Sequence, residues 1–193
     1  MYAAAITWAQ EHLDHQVTSV EPLASIHAVR ATPPPRAFQS WAWPAKWVVP
    51  SWASRPEVWQ RAFEVLAGDA PSFEPVFLHR DFGPHNLVWT GDAVTGVVDW
   101  VETSTGPAWL DVAHFASNLA MRHGTKTGQR FAAAYSRRTG TERDIFWDVM
   151  DIVGFLPPPG RKPMFHEPEQ LRRLEEHLEW ALSRDAPMTA DAG

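Results

Sequence analysis

A chain of 193 residues, 45% hydrophobic and 21% charged, is long enough to bury a core and has the balance of a soluble globular protein. Its formal net charge of −6 argues against nucleic acid or an anionic membrane as partner and suits a cationic small molecule. The absence of cysteine excludes a disulfide framework, a thiolate metal site and a cysteine nucleophile, in keeping with a reducing, cytoplasmic setting.

The opening residues Met1-Tyr2-Ala3-Ala4-Ala5-Ile6 lack the basic start and long apolar run of a secretory leader. No stretch approaches the roughly 18 apolar residues of a membrane span. Residues 1–15 and 21–30 read as short helices, the second with Leu23, Ile26 and His27 at helical spacing. Residues 31–56 hold Pro33, Pro34, Pro35, Pro44, Pro50 and Pro56, which forbid a continuous helix. Trp41, Trp43, Trp47 and Trp52 in the same stretch predict an irregular loop pinned to a core.

From 56 to 67, Val58, Trp59, Ala62, Phe63 and Leu66 follow the 3.6-residue period behind a proline start, and Gly68 supplies a stop. Three short apolar runs come next: Val76-Phe77-Leu78, Leu87-Val88-Trp89 and Val97-Val98. They read as strands, with Gly91-Asp92 as the turn of a small hairpin. The remainder is helical in pattern over 109–122, 127–138, 142–155 and 168–183, with a break at Pro157-Pro158-Pro159-Gly160. The expected fold is α+β and mostly helical.

The segment with chemistry is His79-Arg80-Asp81-Phe82-Gly83-Pro84-His85-Asn86, directly after the strand at 76–78. It matches H-R-D-x-x-x-x-N at every fixed position, in the strand-to-loop context a phosphoryl-transfer loop requires. An acceptor hydroxyl needs a carboxylate to orient it and take its proton; Asp81 fits that role. The same loop must offer an amide oxygen to a magnesium ion on the phosphates, and Asn86 fits that. Asp99, at the end of Gly96-Val97-Val98, supplies a second magnesium ligand; magnesium prefers oxygen and keeps several waters, so two protein ligands suffice. The literal Asp81-Phe82-Gly83 overlaps this loop and is not a second metal-binding turn.

Residues 77–118, FLHRDFGPHNLVWTGDAVTGVVDWVETSTGPAWLDVAHFASN, resemble the core of the aminoglycoside phosphotransferase and choline-kinase-like family, which shares the protein-kinase fold. The family pattern is met by His79, Asp81, Asn86, Val97-Val98-Asp99-Trp100 and Gly106-Pro107…Asp111-Val112-Ala113. Leu23-Ala24-Ser25-Ile26-His27 is similar to the helix that opens the family's C-terminal lobe. The resemblance spans roughly residues 20–185 and is specific over 77–113. It implies a kinase-like C-terminal catalytic lobe over 1–185 with a hairpin beside the catalytic loop, and a disordered tail at 186–193. It implies Asp81 as base, Asn86 and Asp99 as magnesium ligands, and His79 and Asp111 as braces of the loop. It further implies ATP as phosphoryl donor, Mg2+ as cofactor and a hydroxyl of a small molecule as acceptor.

No G-x-G-x-x-G occurs, and none of Lys46, Lys126 and Lys162 sits in a strand ahead of the motif. The expectation is therefore a truncated enzyme without the nucleotide-clamping lobe, or one whose lobe a separate chain supplies. The alternative is a non-catalytic small-molecule-binding or regulatory remnant. A metallohydrolase cluster of His85, His114 and His123 with His79, Asp81 and Asp99 is a further reading, weakened by the lack of any H-x-H or H-E-x-x-H pair. Glu102, Asp144, Asp148 and Glu167 are expected on solvated faces rather than in an acceptor pocket, and Trp100 in core packing.

Overall fold

Apolar spacing and proline placement account for the first helices. The computed structural model describes residues 19–183, so the helix expected over 1–15 and the tail expected at 186–193 lie outside the described residues. Helix α1 (Val20–His27) buries Val20, Leu23, Ile26 and His27, one face at helical spacing. Helix α2 (Pro56–Ala67) begins on a proline, whose missing N–H is harmless in a first turn, and buries Val58, Trp59, Ala62 and Leu66.

Between them the proline- and tryptophan-rich segment contains one 3-10 turn, Pro44–Lys46. Trp47 Nε1 donates to Ala42 O at 2.8 Å while its ring stacks on Phe63. Trp52 packs edge-on against buried Trp59. These contacts hold the segment against the core, as its tryptophan content predicts.

Strand β1 (Pro75–Leu78) leads into the loop that carries the motif. Strands β2 (Leu87–Thr90) and β3 (Ala93–Val97) form an antiparallel hairpin in which Thr90 faces Ala93. That register leaves a two-residue turn whose Gly91 has φ 57°, a left-handed conformation that glycine adopts without a Cβ penalty. Residues 104–107, to which the sequence pattern assigns no element, form strand β4 (Ser104–Pro107), antiparallel to β1 with Leu78 facing Ser104. Ser-Thr-Gly-Pro has no strand pattern of its own; the backbone groups of β1 need partners, and this segment satisfies them. Ala37 adds a parallel bridge on the far side of β4 at Thr105.

Helix α3 (Trp109–His123) is buried at every position over 109–121 and runs through the centre of the core. Helices α4 (Thr125–Thr139), α5 (Ile145–Gly154) and α6 (Pro168–Leu182) surround it. Gly128 lets α4 approach closely, since a Cβ there would stand 2.4 Å from Ala116 O. Asp144 caps α5 by accepting from Phe146 N at 2.8 Å. Asp148 is buried, not on a solvated face, with its carboxylate on Trp109 Nε1 and Arg143 Nε, both at 2.7 Å. The architecture is α+β, mostly helical, with two two-stranded antiparallel sheets among the described residues. No helix among them is long and apolar enough to cross a membrane.

Candidate active site

The loop after β1 is shaped by one buried carboxylate. Asp111, in the first turn of α3, accepts from His79 N at 2.8 Å and from Arg80 N at 2.7 Å. His27 of α1 approaches the same carboxylate at 3.2 Å through Nε2 and reaches Tyr135 Oη at 2.5 Å through Nδ1. Burial alone would raise the Asp111 carboxyl; the His27 contact, the backbone N–H groups and the nearby Arg80 charge hold it below its ordinary value. The His79 ring is also fixed: Nε2 donates to Val98 O at 2.9 Å and Nδ1 accepts from Asp81 N at 3.3 Å, which specifies the neutral Nε2–H tautomer. Trp100 is exposed rather than in the core, its ring centre 4.6 Å from that of His79.

These anchors turn the chain sharply. Arg80 has φ 75° and Asp99 φ 64°, the non-glycine residues with positive φ among those described. Such backbone is costly by about 1–3 kcal/mol per residue and concentrates where function over-determines geometry. The Arg80 guanidinium is buried 4.0 Å from the centre of the Trp41 ring, and its Nε, Nη1 and Nη2 have no hydrogen-bond partner among the described residues. Burial lowers its pKa, while Asp151, Asp111, Glu102 and Asp81 pull in the opposite direction.

The Asp81 side chain is 29% exposed. Its Oδ1 lies 3.0 Å from His114 Nε2 and 3.8 Å from His85 Nε2. Its Oδ2 accepts from Asn86 Nδ2 at 3.1 Å, and Asn86 Nδ2 also donates to Asp81 O at 2.8 Å. His114, buried on α3, places Nδ1 3.0 Å from Asp151 Oδ1 of α5. Donation from both nitrogens, as an imidazolium, satisfies both carboxylates; Asn118 Nδ2 also lies 3.2 Å from Nε2. Burial alone would lower its pKa, but Asp151 and Asp81 push it up to about 9. Burial would raise the Asp81 carboxyl, yet His114 and His85 hold it well below the usual carboxylate range.

Asn86 and Asp99 are brought near each other through the backbone, where Val98 N donates to Asn86 O at 2.9 Å. Asp99 is exposed, and no described residue hydrogen-bonds its carboxylate. Asn86 uses its amide N–H groups on Asp81, and no described residue hydrogen-bonds its Oδ1. Both oxygens therefore have the chemistry of magnesium ligands, and neither is committed elsewhere among the described residues.

A cavity of about 380 Å³ opens beside Asp81. Trp41, Trp43, Phe155 and Phe165 line it, with Lys46, Asp151 and Glu102 among its charged residues. Its size is that of a small-molecule site.

The sequence profile of the phosphotransferase enzyme family matches residues 11–147, well over half of the chain. The chain belongs to the phosphotransferase enzyme family. No curated protein matches it. In this phosphotransferase-family chain, no group of three or more His, Cys, Asp or Glu among the described residues is arranged to hold a metal. The metallohydrolase cluster is not assembled, because both His114 nitrogens face carboxylates and His79 is bonded to backbone. Sequence reasoning missed the His114–Asp151 pair as a support for Asp81. A signal was available: Asp111, His114 and Asn118 recur at helical spacing in a helix whose other residues over 109–121 are apolar but for Ser117.

Proposed function

We propose that this chain transfers a phosphoryl group from ATP to a hydroxyl of a small molecule, with Asp81 orienting that hydroxyl and Asn86 and Asp99 holding Mg2+. The observation that supports this reading is the Asp81 carboxylate, in the cavity lining and fixed by His114 on one oxygen and Asn86 on the other. A magnesium ion bound there would neutralise phosphate charge as the P–O bond to the departing diphosphate breaks.

The residues of the chain do the rest. Asp81 accepts a hydrogen bond from the acceptor O–H and receives the proton as that oxygen bonds to phosphorus. His114 and Asn86 keep the carboxylate in one orientation, and Asp111 and His79 brace the loop beneath it. Held below the ordinary carboxylate range, Asp81 is a weak base, so its main contribution is alignment.

Magnesium-ATP with aminoglycosides, amino alcohols and sugars, read by ADP release, is the test. Asp81→Asn should lower turnover by about 10²-fold or more, the scale of a misaligned reacting hydroxyl. A wild-type chain that gives neither turnover nor a nucleotide-induced thermal shift refutes the reading. Acceptor binding without transfer would mark a non-catalytic binding protein instead.

A further inference from the structure

Burying an ammonium costs several kcal/mol unless it is paired, and an isolated one is rare in a protein interior. Lys126 and Lys162 are exposed, but Lys46 is 7% exposed and forms part of the cavity wall that Asp81 shares. Its Nζ donates to Gly154 O at 2.6 Å and lies 4.6 Å from the centre of the Trp43 ring. One neutral carbonyl and one ring face are its partners; no carboxylate among the described residues pairs with it. An ammonium has three donors, so this arrangement leaves capacity unused.

The carboxylates of the cavity are bonded elsewhere and make no direct contact with it among the described residues. Asp81 and Asp151 are both taken by His114, each at 3.0 Å. Glu102 accepts from Arg36 Nη2 at 2.8 Å. Two carboxylates share the single His114 side chain and Glu102 pairs with Arg36, so Lys46 is the cavity cation with no carboxylate in direct contact among the described residues. A cationic ligand would meet an ammonium there, with Asp81 Oδ1, Asp151 Oδ1 and Glu102 Oε2 already bonded and Asp151 Oδ2 alone buried without a partner among the described residues. An anionic group on a ligand seated between the rings would complete the site.

We propose that Lys46 is an anion-recognition residue of this cavity, its ammonium meeting a phosphate or carboxylate oxygen of a ligand that lies against Trp41, Trp43, Phe155 and Phe165. The anion is either a phosphate of the donor nucleotide or an acid group on the acceptor. The biological meaning rests on the phosphotransferase reading above, while the binding itself does not.

Tryptophan fluorescence of the full chain, titrated with tripolyphosphate, phenyllactate and the uncharged amide of phenyllactate, tests it. At least one of the two anions should bind, and Lys46→Met should weaken that anion by about tenfold or more, the scale of one charge-assisted hydrogen bond. Lys46→Arg should restore part of the loss, and affinity for the amide should be unchanged by either substitution. Loss confined to tripolyphosphate assigns the anion to the donor, and loss confined to phenyllactate assigns it to the acceptor. Methionine keeps the volume of the lysine stem and removes an unpaired charge, so a melting temperature at or above wild type certifies the fold of the variant. Failure of both anions to bind, or equal binding by Lys46→Met, overturns the inference. Lys46-dependent binding by a chain that transfers no phosphate leaves this inference standing and defeats the phosphotransferase reading alone.

Discussion

The buried imidazolium at His114 makes the stability of this protein fall on the alkaline side of neutrality. Its folded-state pKa is pushed up to about 9 from an ordinary 6.5 by Asp151 and Asp81. A raised pKa means that the folded state holds the proton more tightly than the unfolded chain does. The stabilisation is therefore complete below pH about 6.5, shrinks above it, and is gone once pH has passed about 9. At about 1.4 kcal/mol per unit, the difference is on the order of 3 kcal/mol.

Asp151→Asn removes one of the two carboxylates and leaves an amide oxygen able to accept from Nδ1. His114 should then titrate at least one unit lower, and the loss of stability between pH 6.5 and 9 should shrink to about half. Urea unfolding at a series of pH values measures the loss. The His114 Cε1 proton resonance, identified by its absence in His114→Gln, measures the pKa directly. A wild-type His114 that titrates at or below 6.5, or a pH slope unaltered by Asp151→Asn, refutes the argument.

On the acid side one contributing group is His177, buried against Trp180 with Nδ1 unpartnered among the described residues and its pKa lowered to about 4 by burial. Its contribution is present above pH 6.5 and lost as pH falls through 4, so His177→Phe should flatten unfolding free energy over that interval by about 3 kcal/mol. Gly128→Ala should destabilise by about 2 kcal/mol although alanine ordinarily favours helix, because its methyl would stand 2.4 Å from Ala116 O; a melting temperature above wild type would show that α3 and α4 are not so tightly apposed. Arg143→Met leaves the Asp148 carboxylate buried without its cation and strips donors from the carbonyls of Trp180, Ala181 and Ser183 at the end of α6. A cost of about 3–5 kcal/mol is expected in chemical denaturation, and Asp148→Asn in the same chain should recover part of it.

What could be read from sequence was what is local. The helix at Pro56, the two-residue turn at Gly91-Asp92 and the spacing from Asp81 to Asn86 each depend on a few neighbouring residues, and the structure shows each element where its pattern lies. Strand β4 was not legible, since Ser104-Thr105-Gly106-Pro107 becomes a strand only because β1 lies alongside it. The burial of Asp148 was hidden for a related reason: the groups that satisfy it, Trp109 and Arg143, make that position tolerable only in three dimensions. Lys46 stands between Pro44 and Pro50, and nothing within its own segment shows that Gly154 and the cavity lie against it.

The long-range pairs also explain how an acidic loop side chain can keep a single orientation. Asp81 is tied to His114, 33 residues away, and His114 to Asp151, 37 residues further on, so the carboxylate is referred to two core helices rather than to its own loop. The imidazolium that fixes the carboxylate also depresses its basicity, so orientation is gained at the expense of proton affinity. In phosphoryl transfer through a loose transition state there is little covalent chemistry for the protein to do, and alignment of the attacking oxygen carries most of the effect. On the proposed reading, that exchange is favourable. It also predicts that His114→Gln, which can still donate one hydrogen bond to Asp81, will harm turnover less than an apolar replacement at the same site.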